Sequence, residues 1–227
     1  MKLLGHRGAR HEHPENTLGS IERALRAGVD GIEVDVHLSK DGRVVVIHDE
    51  TLDRTTNGRG RVDQHAFAEL RALDAGQGER IPTLEEVLEA CRGRAEPFIE
   101  LKGAGVEEPV LRILGEARME SASWVKAFDH RRVLRMKQLA PGLRAACLLV
   151  ARPVDPVGIA RAARADALSL QVDHVDRDLV EACHAAGLVV CAWNCNDPAR
   201  LEALRATGID WLGTDAPGTI VPAARAR

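Results

Sequence analysis

The sequence predicts an α/β fold, specifically a TIM (β/α)8 barrel, and three observations carry that expectation. Short apolar runs alternate with helically spaced segments along the chain. Charged side chains cluster at the ends of those runs, on the face where such a barrel keeps its site. An Asp-Gly pair, Asp41-Gly42, folds one surplus strand back as a hairpin and reduces nine runs to eight barrel strands.

The first run is Lys2 to His6. NTLGSIERALRAG then places Leu18, Ile21, Leu25 and Val29 at steps of three and four; Asn16 or Thr17 caps this helix and Gly28 ends it. GIEVDV is a strand, with Ile32, Val34 and Val36 alternating against Glu33 and Asp35. A two-residue turn at Asp41-Gly42 pairs Lys40 with Arg43, Leu38 with Val45 and Asp35 with His48. Opposed Cβ atoms lie about 4.5–5.5 Å apart, so His48 is expected directly across from Asp35. A parallel crossover from Asp35 to Val44 is also long enough. His37 is expected on the opposite face from Asp35, in a structural role.

PTLEEVLEACR carries a capping box, Thr83 with Glu86. The runs PFIELK, SWVKAFD, RAACLLV, ADALSLQ, LVVCAWN and DWLGTD follow, with helix starts at Asp129, Asp176 and Asp197-Pro198. Residues 51–80, rich in Gly and polar side chains, are expected to form a small insertion at the rim without a core of its own. The tail from Pro217 reads as a short surface strap. The whole chain, 1–227, reads as one domain.

Hydrophobic residues make up 45% of the 227, enough for a substantial core, and the net charge is −3, so no basic field points to nucleic acid. The apolar run of MKLLGHRG is too short for a signal peptide, and no stretch reaches the roughly 18 apolar residues of a membrane span. Cys91, Cys147, Cys183, Cys191 and Cys195 are odd in number, sit in apolar segments and lack CxxC spacing. They read as reduced core residues of a cytoplasmic protein.

Glu33 and Asp35, two apart on a strand, face the same way, and Glu100 and Lys102 repeat the pattern in IELK. Because Ile32, Val34 and Val36 suit the helix layer, the acids point into the lumen. Three packed carboxylates repel unless a hard divalent cation, Mg2+ or Ca2+, joins them; a buried ion-pair network with Arg7 and Lys102 is the alternative. With Arg7 and Lys102 the three acids sum to −1, and a divalent ion turns this to +1, which attracts a phosphodiester monoanion. His6 and His48, at rim positions, suit paired acid and base chemistry near neutral pH, with metal ligation as the alternative for His6. Arg7 offers a fork for phosphate oxygens, and Gly5 and Gly8 let the backbone approach a ligand closely. Asp49 and Asn16 are candidates to orient these groups, and Trp193 either lines the mouth or simply packs. Arg10, His11, Glu12 and His13 read as solvated rim that touches a leaving group. His65, His130, His174 and His184 read as exposed surface.

GHRGARHEHPENT, then GIEVDVHLSKDGRVVVIHDETLDRTTNGRG, IPTLEEVL, IELK, AWN and GTDAP, in this order and spacing, resemble the signatures of the glycerophosphodiester phosphodiesterases over nearly the whole chain. The resemblance implies a TIM barrel that hydrolyses small-molecule glycerophosphodiesters to an alcohol and glycerol 3-phosphate with one divalent metal ion, Mg2+ or Ca2+. It implies His6 and His48 as the acid/base pair, Glu33, Asp35 and Glu100 as metal ligands, and Arg7 and Lys102 on the phosphate. Two positions depart from the family pattern: Ala127 precedes Phe128 where a serine is common, and Asn194 follows Trp193 where threonine is usual. Both bear on substrate contacts, with Trp193 among them. Hydrolysis of lysophospholipids and a non-catalytic glycerophosphate-binding barrel are the alternatives.

Overall fold

A computed structural model describes residues 1–226. The elements follow in order as β1 (Lys2–His6), α1 (Leu18–Ala27), β2 (Gly31–Leu38), β3 (Val44–Val46), α2 (Phe67–Ala72), α3 (Leu84–Cys91), β4 (Glu96–Leu101), α4 (Glu107–Ala117) and β5 (Trp124–Ala127). They continue as α5 (His130–Leu139), β6 (Arg144–Leu149), α6 (Pro156–Ala163), β7 (Ala167–Gln171), α7 (Arg177–Ala185), β8 (Val189–Trp193), α8 (Leu201–Ala206), β9 (Trp211–Thr214) and α9 (Pro217–Arg225). Eight of the strands run parallel, and β1 pairs with both β2 and β9 to close the barrel. β3 lies antiparallel on β2, as the return arm of a hairpin.

Strand alternation sorts the side chains into three layers. Outward residues such as Ile32, Val34, Val36, Ile99 and Val125 are fully buried against the helices. Inward residues at the bottom, among them Leu4, Phe98, Trp124 and Trp211, form an apolar plug. Phe98 stacks on Trp124 at 5.4 Å between centroids and meets Trp211 edge-on at 4.8 Å. The next inward positions up the same strands are His6, Glu33, Glu100 and Lys126, and the register sets His6 beside Glu33, Asp35 beside Glu100, and Glu100 beside Lys126. The plug is therefore a dry floor beneath a charged layer.

Helix signals behave as their chemistry requires. Thr17 accepts from Ser20 N and Gly28, at φ 88°, closes α1; Thr83 and Glu86 complete the capping box of α3; Asp129 and Asp176 cap α5 and α7. Asp197 caps a short 3-10 turn ahead of α8. All five cysteines are free and buried.

Four expectations need correction. The hairpin register is one residue off: Leu38 pairs with Val44 and Val36 with Val46, and Ile47 N donates to Asp35 O. The loop holds three residues rather than two, closed by Ser39 N to Arg43 O, with Gly42 at φ 80°. His48 is thus not opposite Asp35; the chain leaves the ladder first and then swings the imidazole over the rim. His37 shares the face of Asp35, two residues away, and its Nε2 meets His48 O at 3.1 Å, so its role is structural but its face is the other one. The insertion has its own small core, in which Leu52, Val62 and Leu70 pack with Val45, Ile47 and Ile81. The tail is α9, whose Ile220 and Val221 are buried, not a strap.

Candidate active site

The charged layer opens into a cavity of about 310 Å³ lined by His6, Arg7, Glu33, His48, Glu100, Lys102, Lys126 and Trp193, among others. His6, His48, Arg7, Lys102, Trp193, Glu33 and Glu100 all line it, while Asp35, Asn16, Asp49, His11, Glu12 and His13 do not. Glu33, Asp35 and Glu100 are buried, and one carboxylate oxygen from each falls within 4.8 Å of the others. Lys102 Nζ donates to Glu100 Oε1 at 2.9 Å and stands 3.8 Å from Asp35 Oδ1. Arg7 donates its backbone N–H to Glu33 Oε2 at 3.0 Å, while its Nε lies 3.3 Å from Asp35 Oδ2 and its Nη1 donates to Glu15 at 2.8 Å. Arg7 has φ 51°, which turns its amide back onto Glu33 as the chain leaves β1.

The two imidazoles are mounted alike. His6 Nδ1 lies 2.6 Å from Asp215 Oδ1, and His48 Nδ1 lies 2.6 Å from Asp49 Oδ1. An ionised carboxylate only accepts, so each ring turns an Nδ1–H to its partner and leaves Nε2 as the nitrogen that can take or give a proton; Asn194 Nδ2 also lies 2.8 Å from His6 Nδ1. Asp215 is itself held by Asn196 Nδ2 at 2.7 Å. Burial pushes the His48 pKa down, against the pull of Asp49, so the ring is held neutral. Burial works to raise Asp215, but its bonds to His6 and Asn196 bring it down to about 2.

The acids divide. Burial pushes Asp35 well up, and the neighbouring charges of Glu33 and Glu100 add to the rise. Burial opposes ionisation of Glu33 too, but Lys126, His6 and Arg7 outweigh it and hold Glu33 low. Asp35 Oδ1 is buried and accepts no hydrogen bond, with Lys102 Nζ standing off at 3.8 Å, whereas Glu33 Oε1 faces the Lys126 ammonium. Three buried carboxylates whose oxygens converge, one of them with no hydrogen-bond donor, are the donor set of a hard divalent cation, so the residues fit such an ion.

Two residues that line the cavity, Lys126 and Asp215, are not singled out by the sequence. Lys126, buried in the middle of β5, places Nζ 3.0 Å from Glu33 Oε1. Its signal was available: Trp124, Lys126 and Phe128 alternate onto one face between buried Val125 and Ala127. Asp215 sits at a recognised strand end, yet only the fold pairs it with His6, 209 residues away. With Lys126 included, three cations balance three acids, so the sum of −1 becomes zero.

The remaining expectations sort by geometry. Asn16 donates to Asp35 Oδ2 at 2.9 Å and Asp49 orients His48, so both brace the site. Trp193 lines the cavity; its Nε1 donates to Ser169 O and its ring meets exposed Phe128 edge-on at 5.9 Å. Gly5 and Gly8 serve packing rather than ligand approach: a Cβ on Gly5 would stand 2.6 Å from Gly8 O, and one on Gly8 would strike Ser20 of α1. Arg10 and His11 lean on Asp215, at 3.4 and 3.6 Å, and Glu12 binds Arg23 and the N-terminus of α9. Arg10 also lines the cavity.

A model of the glycerophosphoryl diester phosphodiesterase family matches residues 6–219. Glycerophosphodiester phosphodiesterases from Caldanaerobacter subterraneus subsp. tengcongensis and Bacillus altitudinis are 36% and 34% identical, over 96% and 97% of this chain and 96% of each relative. The crystal structure of a glycerophosphodiester phosphodiesterase from Agrobacterium tumefaciens str. C58 superposes with a TM-score of 0.88 at 31% identity, covering 98% of this chain and 99% of that one. A phosphodiesterase from Oleispira antarctica, in complex with the product sn-glycerol-3-phosphate, gives a TM-score of 0.90 at 30% identity, with 100% and 97% covered.

Proposed function

The chain belongs to the glycerophosphodiester phosphodiesterase family, and from that premise we propose a division of labour for its site residues. His6 and His48 act as the acid/base pair on a glycerophosphodiester that releases an alcohol and glycerol 3-phosphate. The observation that carries this reading is the matched mounting of the two rings, each with Nδ1 on a carboxylate and both lining one cavity. One ring enters neutral and its Nε2 takes the proton of the nucleophile, while the other enters as the imidazolium and gives its Nε2 proton to the leaving alcohol oxygen.

Glu33, Asp35 and Glu100 hold one divalent cation, Mg2+ or Ca2+, which supplies Lewis-acid charge beside the phosphate. Arg7, Lys102 and Lys126 balance the three carboxylates and leave N–H donors facing the cavity for phosphoryl oxygens. Trp193 and Phe128 add an edge-on pair of apolar rings to the cavity lining, suited to the carbon skeleton of the substrate. Among the described residues no helix is long and apolar enough to cross a membrane. Five buried free thiols support a cytoplasmic setting.

Replacing either histidine tests the assignment. His6→Ala and His48→Ala should each lower turnover of glycerophosphocholine by roughly 10²–10⁴-fold, with thermal unfolding little changed. Near-parental activity in either variant would sink the paired roles. Running lysophosphatidylcholine in the same assay addresses a second substrate class, favoured by the solvent-exposed ring of Phe128 at the mouth.

A further inference from the structure

Arg54 lines no part of the cavity. It stands on the insertion, in a loop closed by the Thr51–Arg61 bridge, and its side chain is half exposed. Its guanidinium nevertheless joins the two sides of the site. Nε and Nη2 donate to Asp49 Oδ2 and Oδ1 at 2.7 and 3.0 Å, and Asp49 is the carboxylate that holds His48. Nη1 and Nη2 donate to Glu15 Oε2 and Oε1 at 3.1 and 2.8 Å, and Glu15 is the carboxylate that holds Arg7. The five side chains form a row in which N–H donors and carboxylates alternate, Arg7, Glu15, Arg54, Asp49, His48, with Arg54 at its centre.

The loop that carries Arg54 is pre-formed. Leu52 is fully buried in the satellite core, its N–H donates to Gly60 O, and Thr56 Oγ1 donates to Leu52 O. Asp53 Oδ2 accepts from Gly60 N, which fixes the far side of the same loop. A planar fork with five donors can hold two carboxylates at a set separation and angle; a single ammonium cannot. Without the central cation, Glu15 and Asp49 would also be left as neighbouring like charges with one partner fewer each.

We infer that Arg54 is a positioning residue that fixes His48 and Arg7 relative to one another across a single phosphate group. This rests on the roles given above to His48 and Arg7. It gives the insertion a purpose in the reaction: its small core anchors the clamp that spans the rim.

The test compares Arg54→Ala, Arg54→Lys, Asp49→Asn, Glu15→Gln and the double variant Arg54→Ala/Asp49→Asn, by kcat, KM and thermal unfolding with glycerophosphocholine. A rim ion pair at this exposure adds little to stability, so folding and turnover should separate. Arg54→Ala should lose roughly 10–100-fold in kcat/KM and unfold near the parental temperature. Asp49→Asn should reproduce chiefly the kcat part and Glu15→Gln chiefly the KM part. The double variant should be no slower in kcat than its worse single parent, and Arg54→Lys should not restore the loss. The inference falls if Arg54→Ala stays within about threefold of the parent in both constants, if kcat losses multiply in the double variant, or if lysine restores full rate. If Arg54→Ala does not fold, Arg54→Lys and the two carboxylate variants decide by the same kcat and KM split. His48→Ala separates the two levels. An active His48→Ala would overturn the underlying roles, whereas an inactive His48→Ala beside a fully active Arg54→Ala would overturn only this inference.

Discussion

Replacing Lys126 by Met removes a cation from the centre of the barrel while keeping most of its stem. Nζ lies 3.0 Å from Glu33 Oε1, and both groups are essentially out of solvent. At an effective dielectric of about 20, that separation gives an attraction of roughly 5–6 kcal/mol before desolvation. Breaking a buried pair by deleting one partner costs about 3–5 kcal/mol, because the other charge is left uncompensated. For a chain of this length each 1 kcal/mol moves the melting temperature by about 2–4 °C, so EDTA-treated Lys126→Met should melt roughly 6–20 °C below the parent. Saturating Mg2+ or Ca2+ should recover much of that loss, since a cation held by Glu33, Asp35 and Glu100 supplies the charge that Lys126 no longer provides. The readout is thermal unfolding of parent and variant, each with EDTA and with metal. The reasoning fails if the variant melts with the parent in EDTA, or if metal stabilises both proteins equally.

Two further outcomes follow from the same geometry. Burial lowers the His48 pKa and the bond to Asp49 raises it, so His48 should titrate below the ordinary value of about 6.5, and lower still in Asp49→Asn, by NMR of the ring protons. Because the folded pKa is the depressed one, the stability that this group contributes is present above the unfolded value and lost as pH falls through the folded one; an upward move in Asp49→Asn would refute the assigned causes. Leu52→Ala, which hollows the satellite core under the Arg54 loop, should cost about 2–5 kcal/mol in denaturant unfolding; a cost near zero would mean that the insertion is not packed as described.

The barrel was legible because periodicity and caps are local. Thr17, Gly28, Thr83 and Asp176 each mark a helix boundary with atoms within a few residues, and the alternation of Glu33 and Asp35 with valines fixes which face they share. What escaped depends on loop geometry or distant pairing. An Asp-Gly pair serves a two-residue or a three-residue loop, and only the Ser39–Arg43 closure selects the second, which shifts His48 off the ladder. Residues 51–80 look coreless because their apolar side chains are sparse; Val45, Ile47 and Ile81, from outside the segment, complete the cluster. The Asp215–His6 pair needs the barrel to close, which no local pattern encodes.

Lys126 alters what the cation is for. Without it, the pocket would be anionic and a divalent ion would be needed simply to admit a phosphodiester. With it, Arg7, Lys102 and Lys126 already match Glu33, Asp35 and Glu100. Burial and the like charges of Glu33 and Glu100 push the Asp35 pKa up. Attraction of the phosphate is thus supplied by the chain's own cations. An ion held by Glu33, Asp35 and Glu100 would add Lewis-acid charge beside the phosphate, and its carboxylate ligands would have to be ionised to hold it. Glu33 is the residue on which the two demands meet: it answers to Lys126 on Oε1 and to the Arg7 amide on Oε2. That arrangement holds Glu33 ionised and oriented by the chain's own donors.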